Sequence, residues 1–170
     1  MQHIDILIRP IDPSETHSAL ALYRAAISNI GTQFYSARQR AEWATRTEVQ
    51  FLRLARSRAR FIAERDGRIV GYVGYDRSRQ TLTECYVHPH HQHQGIGRLL
   101  VRHILHIAHA DGLESLTVLA SLNARSFYES LGFVFQQAEN LDMSDGQILP
   151  CCQMRASLTG GAWSRNPACP

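Results

Sequence analysis

Thr81-Leu82-Thr83-Glu84-Cys85-Tyr86-Val87, then His88-Pro89-His90-His91, then Gln92-His93-Gln94-Gly95-Ile96-Gly97-Arg98: the reading of this run decides the fold. Its first part is rich in β-branched and aromatic residues and stops before Pro89, which predicts a strand over 81–87. From Gly95 to Ala110 the apolar residues Ile96, Leu99, Leu100, Ile104, Ile107 and Ala108 recur on one side of a helix, with Gly112 just past its end. Leu116-Thr117-Val118-Leu119 then reads as another strand. Strand, helix and strand in succession need a crossover, and a crossover makes the two strands a parallel pair.

Upstream of this unit, Ile4 to Ile8 predicts a first strand that Pro10 stops. Asp12, Pro13 and Glu15 have the spacing of a capped helix start, and Ala19, Leu22, Tyr23, Ala26, Ile27 and Ile30 carry a helical period up to Gly31. Ser36 with Gln39, and Thr47 with Gln50, repeat the capping-box spacing and predict helices at Ala37 to Ala44 and Glu48 to Ser57. Phe61-Ile62-Ala63, the turn Asp66-Gly67 and Ile69 to Tyr75 predict a tight hairpin. Downstream, a short helix from Asn123 closed by Gly132 precedes strands at Phe133-Val134-Phe135 and Ile148 to Leu158. The expected architecture is mixed α/β: a seven-stranded, mostly antiparallel sheet with one central parallel pair and helices on both faces. Residues 1–158 are expected to form one domain and residues 159–170 a flexible tail.

With 170 residues, 44% hydrophobic and 19% charged, the chain is too apolar for a disordered protein and too irregular for a coiled coil. All 18 basic residues are arginine, and against 15 acidic ones they leave a charge of only +3, too little to single out a polyanionic partner. No run of about 18 apolar residues exists, and Met1 to Asp5 has no leader character, so the expected setting is cytoplasmic, without membrane contact. Cys85, Cys151, Cys152 and Cys169 lack the spacing of a zinc ribbon or a redox pair, and reduced thiols are expected.

Gln92 to Arg98 follows a strand and opens a helix, and there the first backbone N–H groups lack internal partners and the dipole places about half a positive charge. Gly95 and Gly97 let backbone approach an anion, and Arg98 adds a guanidinium fork. Leu100 stands where a dinucleotide fingerprint needs its third glycine, and the glycine-lysine-serine ending of a triphosphate loop is missing.

Tyr86-Val87-His88-Pro89, Gln92-x-x-Gly95-x-Gly97 and Asn123-Ala124-Arg125-Ser126-Phe127-Tyr128-Glu129-Ser130-Leu131-Gly132-Phe133, taken in order, resemble the GNAT superfamily of acyl-CoA-dependent N-acetyltransferases. With Ile8-Arg9-Pro10, Val70-Gly71-Tyr72 and the Tyr35-Ser36 to Trp43-Ala44 segment, the likeness covers about residues 4 to 156. It implies that the parallel strands splay apart and that the pantetheine arm of acetyl-CoA lies between them, bonded to backbone at Cys85 and Val87 beside Tyr86. The pyrophosphate would lie over the N–H groups of Gln94, Gly95, Ile96, Gly97, Arg98 and Leu99, next to Gln92 and His93, with Asn123 bonding the pantetheine or a water. The implied reaction is direct attack of a primary amine on the thioester in a ternary complex. The N–H of Cys85 would face the developing oxyanion, Tyr128 would protonate the leaving thiolate, and Glu84 would take the amine proton directly or through water. Tyr35 and Trp43 are candidates for one wall of the acceptor cleft, with anchoring to the core as the alternative. The acceptor is a small amine or a protein amine, and a homodimer is compatible with the resemblance.

Other readings compete. His88, His90, His91 and His93 suggest a metal site, but neighbouring loop residues diverge, so no metal is expected and an anion-binding rim is favoured. Arg53, Arg56, Arg58 and Arg60 are interleaved with Leu54 and Ala55 and predict a solvated helix face; nucleic acid is not an expected partner. Phe127 and Tyr128 could be plain core, and Cys85 lacks an adjacent histidine to make it a nucleophile. The rival functional class is a non-catalytic acyl-CoA-binding regulatory or interaction module, which a thiol-release assay with amines distinguishes from an enzyme.

Overall fold

The computed structural model describes residues 6–55 and 57–160. Seven strands, β1 (Leu7–Pro10), β2 (Ala59–Arg65), β3 (Arg68–Asp76), β4 (Thr81–Val87), β5 (Ser115–Ser121), β6 (Phe133–Asp142) and β7 (Ile148–Ser157), form one sheet in the order β1-β2-β3-β4-β5-β7-β6. The helices are α1 (Thr16–Ser28), α2 (Ala37–Trp43), α3 (Glu48–Ala55), α4 (Ile96–Ala110) and α5 (Arg125–Glu129). Only β4 and β5 run parallel, and their pairing is confined to Thr81 with Thr117 and Leu82 with Val118. Past those residues the two strands part, so the sheet carries a wedge at its centre.

The predicted caps form. Asp12 Oδ1 accepts the Ser14 N–H at 2.8 Å while Glu15 Oε2 accepts the Asp12 N–H at 2.9 Å, starting a 3₁₀ turn that runs into α1. Ser36 with Gln39 and Thr47 with Gln50 exchange bonds in the same reciprocal way. Of the strand expected over Ile4 to Ile8, residues 4 and 5 lie outside the described residues; β1 runs Leu7–Pro10 and includes Pro10, expected to stop it, which lies opposite Phe61. A proline is tolerated there because β1 is an edge strand. The other departure is β6, which runs to Asp142 instead of ending near Phe135. Its later residues are mostly exposed and polar, so no apolar alternation marks them, and pairing with β7 alone makes them a strand.

Tyr72 and Val73, adjacent in β3, belong to two different apolar clusters, one on each face of the sheet. On one face Ile96, Leu100, Val101, Ile104, Leu105 and Ala108 of α4 are buried against Val70, Val73, Leu82 and Leu116. Each buried Ile, Leu or Val among them contributes about 1.5–3 kcal/mol. Leu99, expected on this face, is instead exposed and Val101 takes its place. Gly71 allows the close approach, since a Cβ there would lie 3.0 Å from both Leu100 Cδ1 and the Tyr86 carbonyl oxygen. The other face carries Leu20, Tyr23 and Ile27 of α1 and Phe51 of α3 over Ile62 and Tyr72.

A β-bulge separates the two uses of β4. Tyr75 lies opposite Leu82 and Gly74 opposite Glu84, leaving Thr83 without a partner residue. The extra residue reverses the alternation: Leu82, Cys85 and Val87 pack with the α4 cluster, while Glu84 and Tyr86 turn toward the α1 side. Gly74 makes the room, because a Cβ there would sit 2.8 Å from Glu84 Oε2.

Candidate active site

The wedge between β4 and β5 opens onto the start of α4. A groove of about 520 Å³ collects Cys85, Val87, Gln92, His93, Gly95, Ile96, Gly97, Arg98 and Asn123, with Phe127 as its far wall. His93 and Gly95 both adopt left-handed backbone, at φ 60° and 84°, and so bend the chain sharply into α4. Gly95 precedes the helix, and the N–H groups of its first turn face outward without intrahelical acceptors. These residues fit an anionic diphosphate. Leu99 does not share that role, since its N–H donates to the Gly95 carbonyl at 3.0 Å. The Gln94 side chain turns away, donating to the His90 carbonyl and accepting from Arg65 Nη1. Gln92 Nε2 donates to the Val87 carbonyl at 3.2 Å, and Arg98 Nη2 donates to Ser130 Oγ at 3.2 Å. Both bonds brace the cradle.

At the base of the wedge, Cys85, Tyr86 and Tyr128 surround a narrow slot with Ser121 and Trp43. Tyr128 stands edge-on to Phe127 and Phe133, at ring separations of 5.1 and 5.3 Å. Burial, and after it the neighbouring Cys85 and Tyr86, hold the Tyr128 phenol well above its ordinary value. Burial alone pushes the Cys85 thiol up to about 12. A thiol so protonated at neutral pH is a poor nucleophile.

Trp43 borders this slot and two cavities beside it, one of which reaches Asn29, Phe34 and Asn123. Tyr35 differs from the expectation of a cleft wall. It is buried at 1% exposure, its hydroxyl donates to the Pro150 carbonyl at 2.7 Å and accepts the Leu122 N–H at 2.8 Å. It is a strut that ties the loop before α2 to β7 and to the turn after β5, with its ring 5.6 Å from Trp43.

Glu84 is held by arginines. Arg60 Nε donates to Oε2 at 2.8 Å, Arg46 Nη1 bonds Oε1, and Arg58 Nη1 lies 4.0 Å from Oε1. Both carboxylate oxygens are engaged, which argues against the expected role as proton acceptor. The three arginines escaped the reading of the sequence. Against the expectation of a solvated helix face for Arg58 and Arg60, Arg60 lies in β2 with its side chain 1% exposed, stacked 3.8 Å over the Phe51 ring. Alternation with buried Ile62 was the available signal. Arg53 does lie on α3, and Arg56 falls outside the described residues.

The His88 ring stands 5.1 and 5.8 Å from those of His90 and His91. Burial first, then these two neighbours, lower the His88 pKa. Among the described residues no three His, Cys, Asp or Glu side chains are gathered to hold a metal. Cys151 and Cys152 are buried free thiols, and Cys169 falls outside the described residues.

A mixed sheet whose parallel pair parts beside a glycine-bearing helix start defines the class, and comparison with known proteins specifies it. Residues 21–146 match the family model described as Acetyltransferase (GNAT) domain, and the chain belongs to that family. It is an acetyl-CoA-dependent acyltransferase. It is 26% identical over 130 residues to the uncharacterized N-acetyltransferase YafP of Escherichia coli, covering 76% of this chain and 81% of that one. A 33% identity over 97 residues links it to the UPF0157 protein YqkA of Bacillus subtilis, of which the match spans only 28%. The fold superposes on a GCN5-related N-acetyltransferase from Rhodopseudomonas palustris with a TM-score of 0.87 at 27% identity, over 92% of this chain and 98% of the other. PaiA N-acetyltransferase from Thermoplasma acidophilum, solved with coenzyme A, superposes at 0.74 with 17% identity, over 90% and 99% of the two chains. No described helix is long and apolar enough to cross a membrane.

Proposed function

We propose that the protein, through one acetyltransferase domain spanning residues 1–158, moves an acetyl group from acetyl-CoA to a primary amine by direct attack in a ternary complex. The observation that carries this reading is the wedge itself: one end opens on the outward N–H groups of the first turn of α4, and the other closes on Cys85 and Tyr128. Acetyl-CoA supplies the activated thioester. The first turn of α4 and Arg98 hold its diphosphate, and the diverging strands hold the pantetheine arm.

Chemistry follows from the slot. The amine nitrogen bonds to the carbonyl carbon as the carbon–sulfur bond breaks. The Cys85 N–H stabilises the charge that develops on oxygen, and the phenol of Tyr128 passes its proton to the departing sulfur. The proton shed by the new amide nitrogen then restores the phenol through water. Proton transfer from a phenol raised by burial would be unfavourable to a thiolate in water. Inside this slot, burial raises the Cys85 thiol from 9.0 to about 12, and a leaving thiolate beside it meets the same desolvation. The same desolvation therefore favours the neutral form of both donor and acceptor. With both Glu84 oxygens engaged, we assign the removal of the ammonium proton to water ahead of attack, and Glu84 to holding Arg46 and Arg60 beside the reacting carbon.

Two assays on one preparation test this. Titration calorimetry should detect acetyl-CoA and CoA binding, and incubation with acetyl-CoA and a panel of primary amines should release thiol. Binding without thiol release from any amine would favour a regulatory module, and absence of binding would refute the reading.

A further inference from the structure

The arginines around Glu84 are in excess of what one carboxylate neutralises. Arg46, Arg58 and Arg60 approach the same group, and although the buried Asp76 also acts on Arg58, guanidiniums outnumber carboxylates in this largely buried cluster. Arg60 Nη2 and Arg58 Nε are buried without hydrogen-bond partners. Beside this cluster a cavity of about 370 Å³ is lined by Tyr23, Trp43, Thr45, Arg46, Gln50 and Arg53. Among the described residues its lining holds two guanidiniums, Arg46 and Arg53, and no carboxylate. Arg46 belongs to both features, bonded to Glu84 on one side, stacked 4.7 Å over the Tyr23 ring, and exposed to the cavity at 22%.

Position links this cavity to the reaction. Glu84 directly precedes Cys85, so Arg46 is anchored one residue from the proposed oxyanion donor. Trp43 borders both the slot at Cys85 and the arginine-lined cavity. Beside the slot where an acceptor's amine would lie, this cavity therefore offers an oxyanion two planar guanidiniums, the held and largely buried Arg46 and the exposed Arg53, with the Tyr23 and Trp43 rings as its aromatic wall.

We propose that the acceptor is a small amine that also carries a carboxylate or comparable oxyanion, as an amino acid does, and that Arg46 and Arg53 receive that group. This rests on the acetyl-transfer reading above and narrows it. The test compares α-amino acids with their methyl esters as acceptors in the thiol-release assay, on the wild type and on Arg53→Ala. Arg53 is chosen because it is not among the arginines on Glu84. The acid should exceed its ester by about tenfold or more in kcat/KM, the worth of one charge-assisted hydrogen bond. Arg53→Ala should raise KM for the acid several-fold, leave the ester's KM in place and leave acetyl-CoA affinity untouched. Arg46→Lys should retain part of the preference, because it keeps the charge without the fork. Esters accepted as well as acids, acceptors confined to amines lacking an acidic group, or an Arg53→Ala enzyme with unaltered preference would each overturn the proposal while leaving acetyl transfer intact. A protein that neither binds acetyl-CoA nor releases thiol fails at the earlier step, and both readings fall together.

Discussion

Arg60 Nε lies 2.8 Å from Glu84 Oε2, and both side chains are 1% exposed. Removing one partner of such a pair leaves the other buried and uncompensated, at a cost of about 3–5 kcal/mol. Glu84→Ala leaves not one guanidinium but a cluster without its anion. Urea denaturation should show a loss at the upper end of that range, and Glu84→Gln a smaller one because it still accepts hydrogen bonds. A Glu84→Ala protein as stable as wild type would show that the cluster is open to water.

Tyr35 offers a cleaner separation of structure from chemistry. Tyr35→Phe keeps the ring against Trp43 but removes the acceptor of the Leu122 N–H and the donor to Pro150. The expected loss is about 1–3 kcal/mol of stability, with acetyl-CoA affinity unchanged. Weakened acetyl-CoA binding at unaltered stability would instead place Tyr35 in the cleft.

Gly71 sets the distance between α4 and the sheet. Gly71→Ala puts a Cβ 3.0 Å from the Tyr86 carbonyl, which is backbone and cannot turn aside. Thermal unfolding should register about 1–3 kcal/mol of overpacking. The helix start moves with any such shift, so acetyl-CoA affinity should fall as well, and an unchanged melting temperature would show slack between helix and sheet.

The Cys85 thiol gives a prediction with a defined pH window. Burial raises it from 9.0 in the unfolded chain to about 12 in the folded one. A raised folded value means that the folded state holds the proton more tightly. The associated stability is complete below pH 9 and is lost as pH rises toward 12. At pH 7.5 iodoacetamide should label Cys85 far more slowly in the native enzyme than after denaturation, as read by mass spectrometry. Rapid alkylation of native Cys85 at neutral pH would contradict the burial argument.

Much of this molecule was legible in the chain because its signals are local. The capping pairs Ser36 with Gln39 and Thr47 with Gln50, the turn at Asp66-Gly67 and the strand over 81–87 all form where short-range spacing puts them. The glycine-bearing junction between β4 and α4 was legible for the same reason. What stayed hidden depends on registers that local sequence does not encode. Simple alternation from Leu82 would put Glu84 on the α4 face, and the bulge at Thr83 sends it to the other. Only then can Arg60 from β2 and Arg46 from the loop after α2 meet it. Tyr35 reaches Pro150, and β6 continues to Asp142, through contacts with β7 that follow from the assembled sheet.

The central claim is that Tyr128 protonates the departing thiolate at the base of the wedge. The direct test is Tyr128→Phe, which keeps the ring between Phe127 and Phe133 and removes only the hydroxyl. Steady-state thiol release should show kcat reduced about 100-fold or more, while calorimetry finds acetyl-CoA affinity within about twofold of wild type. A variant whose kcat matches wild type would contradict the account and move the proton donor elsewhere.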